Sequence, residues 1–212
     1  MSENIFPLLS TAYFPSIQYI TKLLFPVVIE KFENYSKQSF RNRCVIYGAN
    51  GPQTLVIPVK KINGNKTLIK DILIDYDTNW QTNHFRSIKS AYKSAPFYEY
   101  YIDDYLIYFE KKFKFLFDLN NKIIETICEH LNIELSVNYT SSFIKEYNPD
   151  FDFRNTIHPK TRMAKPDHKF HPAKYNQVFV EKFGFVENIS VIDLIFNEGT
   201  ESKTILNKSA CL

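Results

Sequence analysis

The chain has 212 residues, 44% of them hydrophobic and 16% aromatic, enough to bury a sizeable core in one domain. Its formal charge of +3, with Lys and Arg interspersed among Asp and Glu, is too mild to imply nucleic acid or an anionic membrane surface as partner. The cysteines, Cys44, Cys128 and Cys211, lie far apart without C-x-x-C spacing, so neither a disulfide framework nor a zinc site is expected.

From the N-terminus onward, Met-Ser-Glu-Asn carries an acid where a signal peptide needs bases, and the longest later apolar run, near Leu23 to Ile29, contains Pro26 and is too short to span a membrane. A cytoplasmic protein is expected. The apolar runs Ile5 to Thr11 and Pro26 to Phe32 predict buried strands. Between them Pro15 suits a helix start, and Ile17, Ile20, Leu23 and Leu24 recur at helical spacing. That is a β-α-β unit, whose strands should be parallel. The stretches "SFRNRCVIYG" and "QTLVIPVKKI" flank Gly48 to Pro52, and Asn63-Gly64 marks a further hairpin, so three antiparallel strands are expected to follow. Pro58 lacks the amide of a central ladder and puts its strand at an edge or in a bulge.

From Asp77 the pattern turns helical. Asp77, Thr78 and Asn79 offer caps for "NWQTNHFRSIKSAYKSAP", in which Trp80, His84, Ile88, Ala91, Tyr92 and Ala95 form one stripe and Arg86, Lys89 and Lys93 the opposite side. Pro96 ends that helix, and the aromatic stretch to Asp118 predicts one or two more. The next helix buries Ile123, Ile124, Ile127, Cys128 and Leu131 and is capped near Asn132. Residues 148–172 then form a long basic loop with four prolines and with His158, His168 and His171. These elements predict an α/β, mixed α+β fold: an N-terminal β-α-β unit continues into an antiparallel meander, and a helix-rich C-terminal half packs on the sheet. One domain spans 1–212, with 1–76 mainly sheet, 77–147 mainly helical, 148–172 the loop and 173–212 C-terminal helices.

Four features bear on chemistry. His84 is a titratable group on an otherwise apolar stripe, either a general base or a core histidine held by a carbonyl or a tyrosine hydroxyl. Arg41 and Arg43, two apart on a strand, would share one face and suit a carboxylate or phosphate, or else pair with Glu30 or Glu33. His168 and His171, with Asp167 adjacent, have H-x-x-H spacing, but without the helical H-E-x-x-H pattern no metal is expected. Asp193, within "NISVIDLIFNEG", is read as the acid of a capping box begun by Ser190, with Gly199 as the stop. No Walker A, G-x-G-x-x-G or G-x-S-x-G sequence occurs, and no cofactor is expected.

Five collinear stretches, "STAYFPSIQYITKL", "YSKQSFRNRCVI", "LVIPVKK", "DTNWQTNHFRSIKSAYKSAPFYEYY" and "YNQVFVEKFGFVENISVIDLIFNEG", resemble the WbqC-like family over nearly the whole chain. Trp80, His84, Tyr92 and Ala95-Pro96 match the family's middle motif, and Arg41, Asn42 and Arg43 its asparagine-arginine strand. Many members open with a His-Gln-Pro type sequence, where this chain has Ser10-Thr11-Ala12 before Tyr13. The resemblance implies a bacterial cytoplasmic protein of surface-polysaccharide or O-antigen synthesis. The implied activity is transfer of an acyl, aminoacyl or glycine group, with an anionic or nucleotide-linked sugar as substrate. In that reading His84 is the catalytic base, Tyr13, Arg41, Asn42 and Arg43 bind the ligand, and a nucleotide-sugar or acyl donor is the small-molecule partner. The alternative is a non-catalytic ligand-binding or adaptor protein, to which Tyr98, Tyr100, Tyr101, Tyr105 and Tyr108 would offer a recognition surface. Nucleic acid is not expected, and the oligomeric state is left open.

Overall fold

A computed structural model of the chain describes residues 6–160 and 162–210; Ile5, at the head of the first expected strand, and Cys211 lie outside them. In chain order the elements are β1 (Leu8–Ser10), α1 (Ile17–Lys22), β2 (Val27–Glu30), β3 (Arg43–Gly48), β4 (Gly51–Val56), β5 (Val59–Lys60), β6 (Leu73–Ile74), α2 (Trp80–Tyr92), α3 (Tyr98–Glu110), α4 (Leu116–His130), β7 (Val137–Tyr139), α5 (Val180–Phe183), α6 (Val191–Glu198) and α7 (Ser202–Ser209). The fold is mixed α/β, as expected.

β1 and β2 pair in parallel across α1, and β7 adds a third parallel strand beside β2. The segment 151–153 lies along the free edge of β1: Leu8 N–H donates to the Phe151 carbonyl at 2.8 Å and Phe153 N–H to the Leu8 carbonyl at 2.9 Å. β3 and β4 form the expected antiparallel hairpin around Ala49-Asn50. The meander does not continue as one sheet. Ile57 and Pro58 leave the ladder, and β5 pairs separately with β6 because a proline has no amide to donate. The Asn42 side chain holds this break, donating to the Ile57 carbonyl at 2.8 Å while the Ile57 N–H donates to the Asn42 carbonyl at 2.8 Å.

α2 buries Trp80, His84, Ile88, Ala91 and Tyr92, the stripe that a 3.6-residue period selects, and each large apolar member contributes about 1.5–3 kcal/mol by leaving water. α4 ends as the asparagine predicts: Asn132 takes φ +50°, and Ile133 N–H returns to the Cys128 carbonyl at 2.9 Å, closing the helix with a Schellman-type bond. The tyrosines of α3 are mostly core. Tyr98, Tyr105 and Tyr108 are buried and Tyr101 half-buried, and only Tyr100 is largely exposed, so they do not form the expected surface.

The capping box at Ser190 does not form. Ser16 and Ser190, the residues before α1 and α6, lie antiparallel, and each helix start is served by the other segment: Ile17 N–H donates to the Ile189 carbonyl at 3.0 Å and Val191 N–H to the Pro15 carbonyl at 2.8 Å. Both serine hydroxyls are buried and make no cap bond. Asp193 turns inward, its Oδ1 accepting from Tyr175 O–H at 2.7 Å and from the Gln177 amide at 3.1 Å. Burial raises its pKa to about 6, against which Tyr175, Gln177 and Tyr92 favour the charged form.

Candidate functional site

The turn after β1 carries the first pair of expected site residues. Phe14 stands at φ +37°, unusual for a bulky side chain, and is locked there by stacking 6.0 Å from Phe109 and by an edge contact with Tyr105. Its neighbour Tyr13 is thereby driven into the core, where its hydroxyl meets His84 Nδ1 at 3.0 Å. The imidazole also lies 5.2 Å from the Trp80 ring. Burial lowers the His84 pKa to about 4, opposed by a hydrogen bond to the Val56 backbone. A bond that favours protonation is one to an acceptor, so the second ring nitrogen donates to the Val56 carbonyl and Nδ1 accepts from Tyr13 O–H. The ring is neutral at physiological pH, with both nitrogens engaged. Val56 faces Arg43 across the β3–β4 ladder, so His84 is fastened to the arginine hairpin through its backbone.

The carboxyl ends of the parallel strands, where α/β proteins commonly place ligands, hold a second constellation. Ser10 ends β1 and Glu30 ends β2. Arg41 does not share a strand face with Arg43: it lies in the turn before β3, buried, and forms a bidentate pair with Glu33, Nε to Oε1 at 2.7 Å and Nη2 to Oε2 at 2.5 Å. Its Nη2 also donates to Ser10 Oγ at 2.6 Å. Arg154, from the long loop, binds Asp152 through Nη2 at 2.6 Å and the Ile144 carbonyl at 2.6 Å, and lies 3.6 Å from Glu30. Ser10, Thr11, Arg41, Phe153, Arg154 and Ile157 bound a crevice of about 10 Å³, the size of one water molecule. Neither Tyr13 nor His84 lines it.

Beside the crevice, Arg43 and Lys160 add positive charge that no carboxylate pairs with among the described residues. Burial lowers the pKa of His158, and the charges of Arg41, Lys160 and Arg43 lower it further. The Lys160 N–H donates to His158 Nδ1 at 3.0 Å, which leaves Nε2 as the protonated nitrogen of the neutral ring. Lys160 Nζ donates to Gln38 Oε1, and Arg43, half-buried on β3, has its Nε shielded from solvent with no acceptor. Among the described residues Arg43, His158 and Lys160 form no ion pair with a carboxylate. The Arg43 guanidinium, the Lys160 ammonium and the His158 imidazole N–H can together hold a carboxylate or phosphate.

The expected site residues thus fall into three places. Tyr13 and His84 bond to each other, Arg41 is tied to Glu33 and Ser10, and Asn42 holds the Ile57 backbone while Arg43 faces the basic cluster. His158, Lys160 and Arg154 lie in the basic stretch 148–172, whose pattern alone does not bring them to Arg41 or Arg43. Glu33 was named only as a neighbour for the arginines, and the crowding of prolines and cations at 149–172 was the signal for the rest. Among the described residues no three His, Cys, Asp or Glu side chains gather as metal ligands, and no helix is long and apolar enough to cross a membrane.

The fold and these clusters define a mixed α/β protein with buried guanidinium groups at the carboxyl ends of a small parallel sheet. The chain belongs to the WbqC-like protein family, whose sequence profile matches residues 10–164. A similar protein is the uncharacterized protein Rv1507c of Mycobacterium tuberculosis (strain ATCC 25618 / H37Rv), 24% identical over 216 residues, which cover 92% of this chain and 91% of that one. No solved structure matches the chain.

Proposed function

We propose that this protein binds an anionic small molecule at Arg43, His158 and Lys160, with Arg41 behind them, and transfers an acyl, aminoacyl or glycine group in bacterial surface-polysaccharide synthesis. The observation that carries the binding half is Arg43 Nε, shielded from solvent without an acceptor, with Lys160 and His158 near it and none of the three paired with a carboxylate among the described residues. A nucleotide-linked sugar or an acyl donor supplies the missing oxygens. In the transfer half, His84 takes a proton from a sugar hydroxyl or an amine. That step requires the Tyr13 bond to open, because Nδ1 is the ring's only lone pair.

The closed hydrogen bonding of His84 favours a second reading, a ligand-binding protein without chemistry of its own. One experiment separates the two. Nucleotide sugars, acyl-CoA species and amino acids are screened by thermal shift, and the binders are then assayed for transfer with wild type and His84→Gln. Transfer in wild type that falls at least about 100-fold in His84→Gln, with ligand affinity kept, supports the catalytic reading. Binding without transfer in either protein supports the second. No binding by any anionic member of the panel contradicts both.

A further inference from the structure

Phe153 walls the Arg41 crevice and also a second, apolar cleft of about 280 Å³ between α1, the start of β2 and the 151–153 segment. Its walls include Phe6, Pro7, Phe25, Pro26 and Phe151 besides Phe153. Phe6 and Phe25, which border it, remain 41% and 39% exposed, so the cleft opens onto a shared apolar rim. Two lysines stand at its border. Lys22 is committed: it is buried, pairs with Asp167 at 2.7 Å and lies 4.5 Å from the centre of the Phe153 ring. Lys169 is exposed, its Nζ lies 4.1 Å from the centre of the Phe151 ring, and it has no ion-pair partner among the described residues.

An apolar cleft with an uncommitted ammonium at its border suits a molecule with a hydrocarbon body and an anionic end. A cleft of about 280 Å³ lies near the small end of the range for small-molecule pockets, too small for a membrane-lipid chain and far larger than acetate needs. We infer that this cleft binds a medium-chain carboxylic acid, with its hydrocarbon among the phenylalanines and its carboxylate at Lys169. The ring face under Lys169 keeps the ammonium at the border of the cleft, where it meets a carboxylate without having to be buried. These residues are distinct from Arg43, His158 and Lys160, so this site and the anion site stand or fall separately.

Isothermal titration of the full chain with butanoate, decanoate, decanol and decylamine tests the inference. One decanoate should bind per chain, at least about tenfold more tightly than butanoate, because affinity rises with each methylene removed from water, and at least about tenfold more tightly than decylamine. Lys169→Gln should bring decanoate and decylamine to within about threefold of each other and leave decanol binding unchanged. Phe25→Glu, at an exposed bordering position, should reverse the preference in favour of decylamine. The inference is overturned if decanoate fails to bind, if decylamine binds as well as decanoate, or if both variants retain wild-type affinities.

Discussion

Arg41 and Glu33 are both almost wholly removed from water, so neither can be lost alone without leaving the other an uncompensated buried charge. Arg41→Ala should cost about 3–5 kcal/mol in urea unfolding, and Arg41→Lys should recover little of it because an ammonium lacks the planar fork. A loss under about 1 kcal/mol would mean the pair is solvated. His84 and Asp193 give stability opposite pH dependences. The His84 pKa falls from 6.5 to about 4 in the fold, so its contribution is complete above about 6.5 and is lost as pH drops toward 4. The Asp193 pKa rises from 3.8 to about 6, so its neutral form favours the fold at low pH and that contribution is lost as pH rises through 6. Each shift corresponds to about 3 kcal/mol, and over the shared window the two oppose each other. Relative to wild type, Asp193→Asn should therefore gain stability as pH rises from 4 to 7, and His84→Gln should gain as pH falls, both followed by urea midpoints across that range. Parallel curves for wild type and Asp193→Asn would contradict this account. The buried position of His84 is legible in the period of its helix. The partners of Asp193 are not, since Tyr175 and Gln177 lie in irregular chain outside any periodic pattern.

At the scale of elements, local signals fared best where the partner was also local. The β3–β4 hairpin follows from Gly48 to Pro52, the stripe of α2 from its spacing, and the end of α4 from Asn132. The position of Ser190 before α6 follows from the sequence, but its capping bond does not form, because the caps of α1 and α6 are backbone carbonyls more than 170 residues away in sequence, which no local motif records. Ser190→Ala should hence cost under about 0.5 kcal/mol, against about 1 kcal/mol for an ordinary N-cap serine, measured by chemical unfolding. Gly199 behaves oppositely. It stands at φ +52°, and a Cβ there would lie 2.5 Å from the Phe97 ring, so Gly199→Ala should lose more than about 1 kcal/mol from combined backbone strain and clash. Equal melting of Gly199→Ala and wild type would refute that packing.

Across the whole molecule, the region from 148 to 172 joins what the sequence keeps apart. Leu8 binds Phe151 and Phe153, Gln18 and Lys22 bind Asp167, Gln38 binds Lys160, and Arg154 reaches Glu30, so the loop is fastened to the β-α-β unit along its length. Its basic character and its prolines are legible in the sequence. Its attachments are not, because each joins residues more than 100 positions apart and depends on side-chain geometry. The same holds for the anion site: Arg43 was evident as a candidate, whereas His158 and Lys160 reach it only through the fold. The most direct measurement is the affinity of the strongest anionic ligand for wild type and for the double variant Arg43→Gln/Lys160→Gln, titrated at low and at physiological salt. The account predicts a loss of about tenfold or more in the folded variant and a weaker dependence on salt. Affinity within about twofold of wild type at both salt concentrations would contradict it.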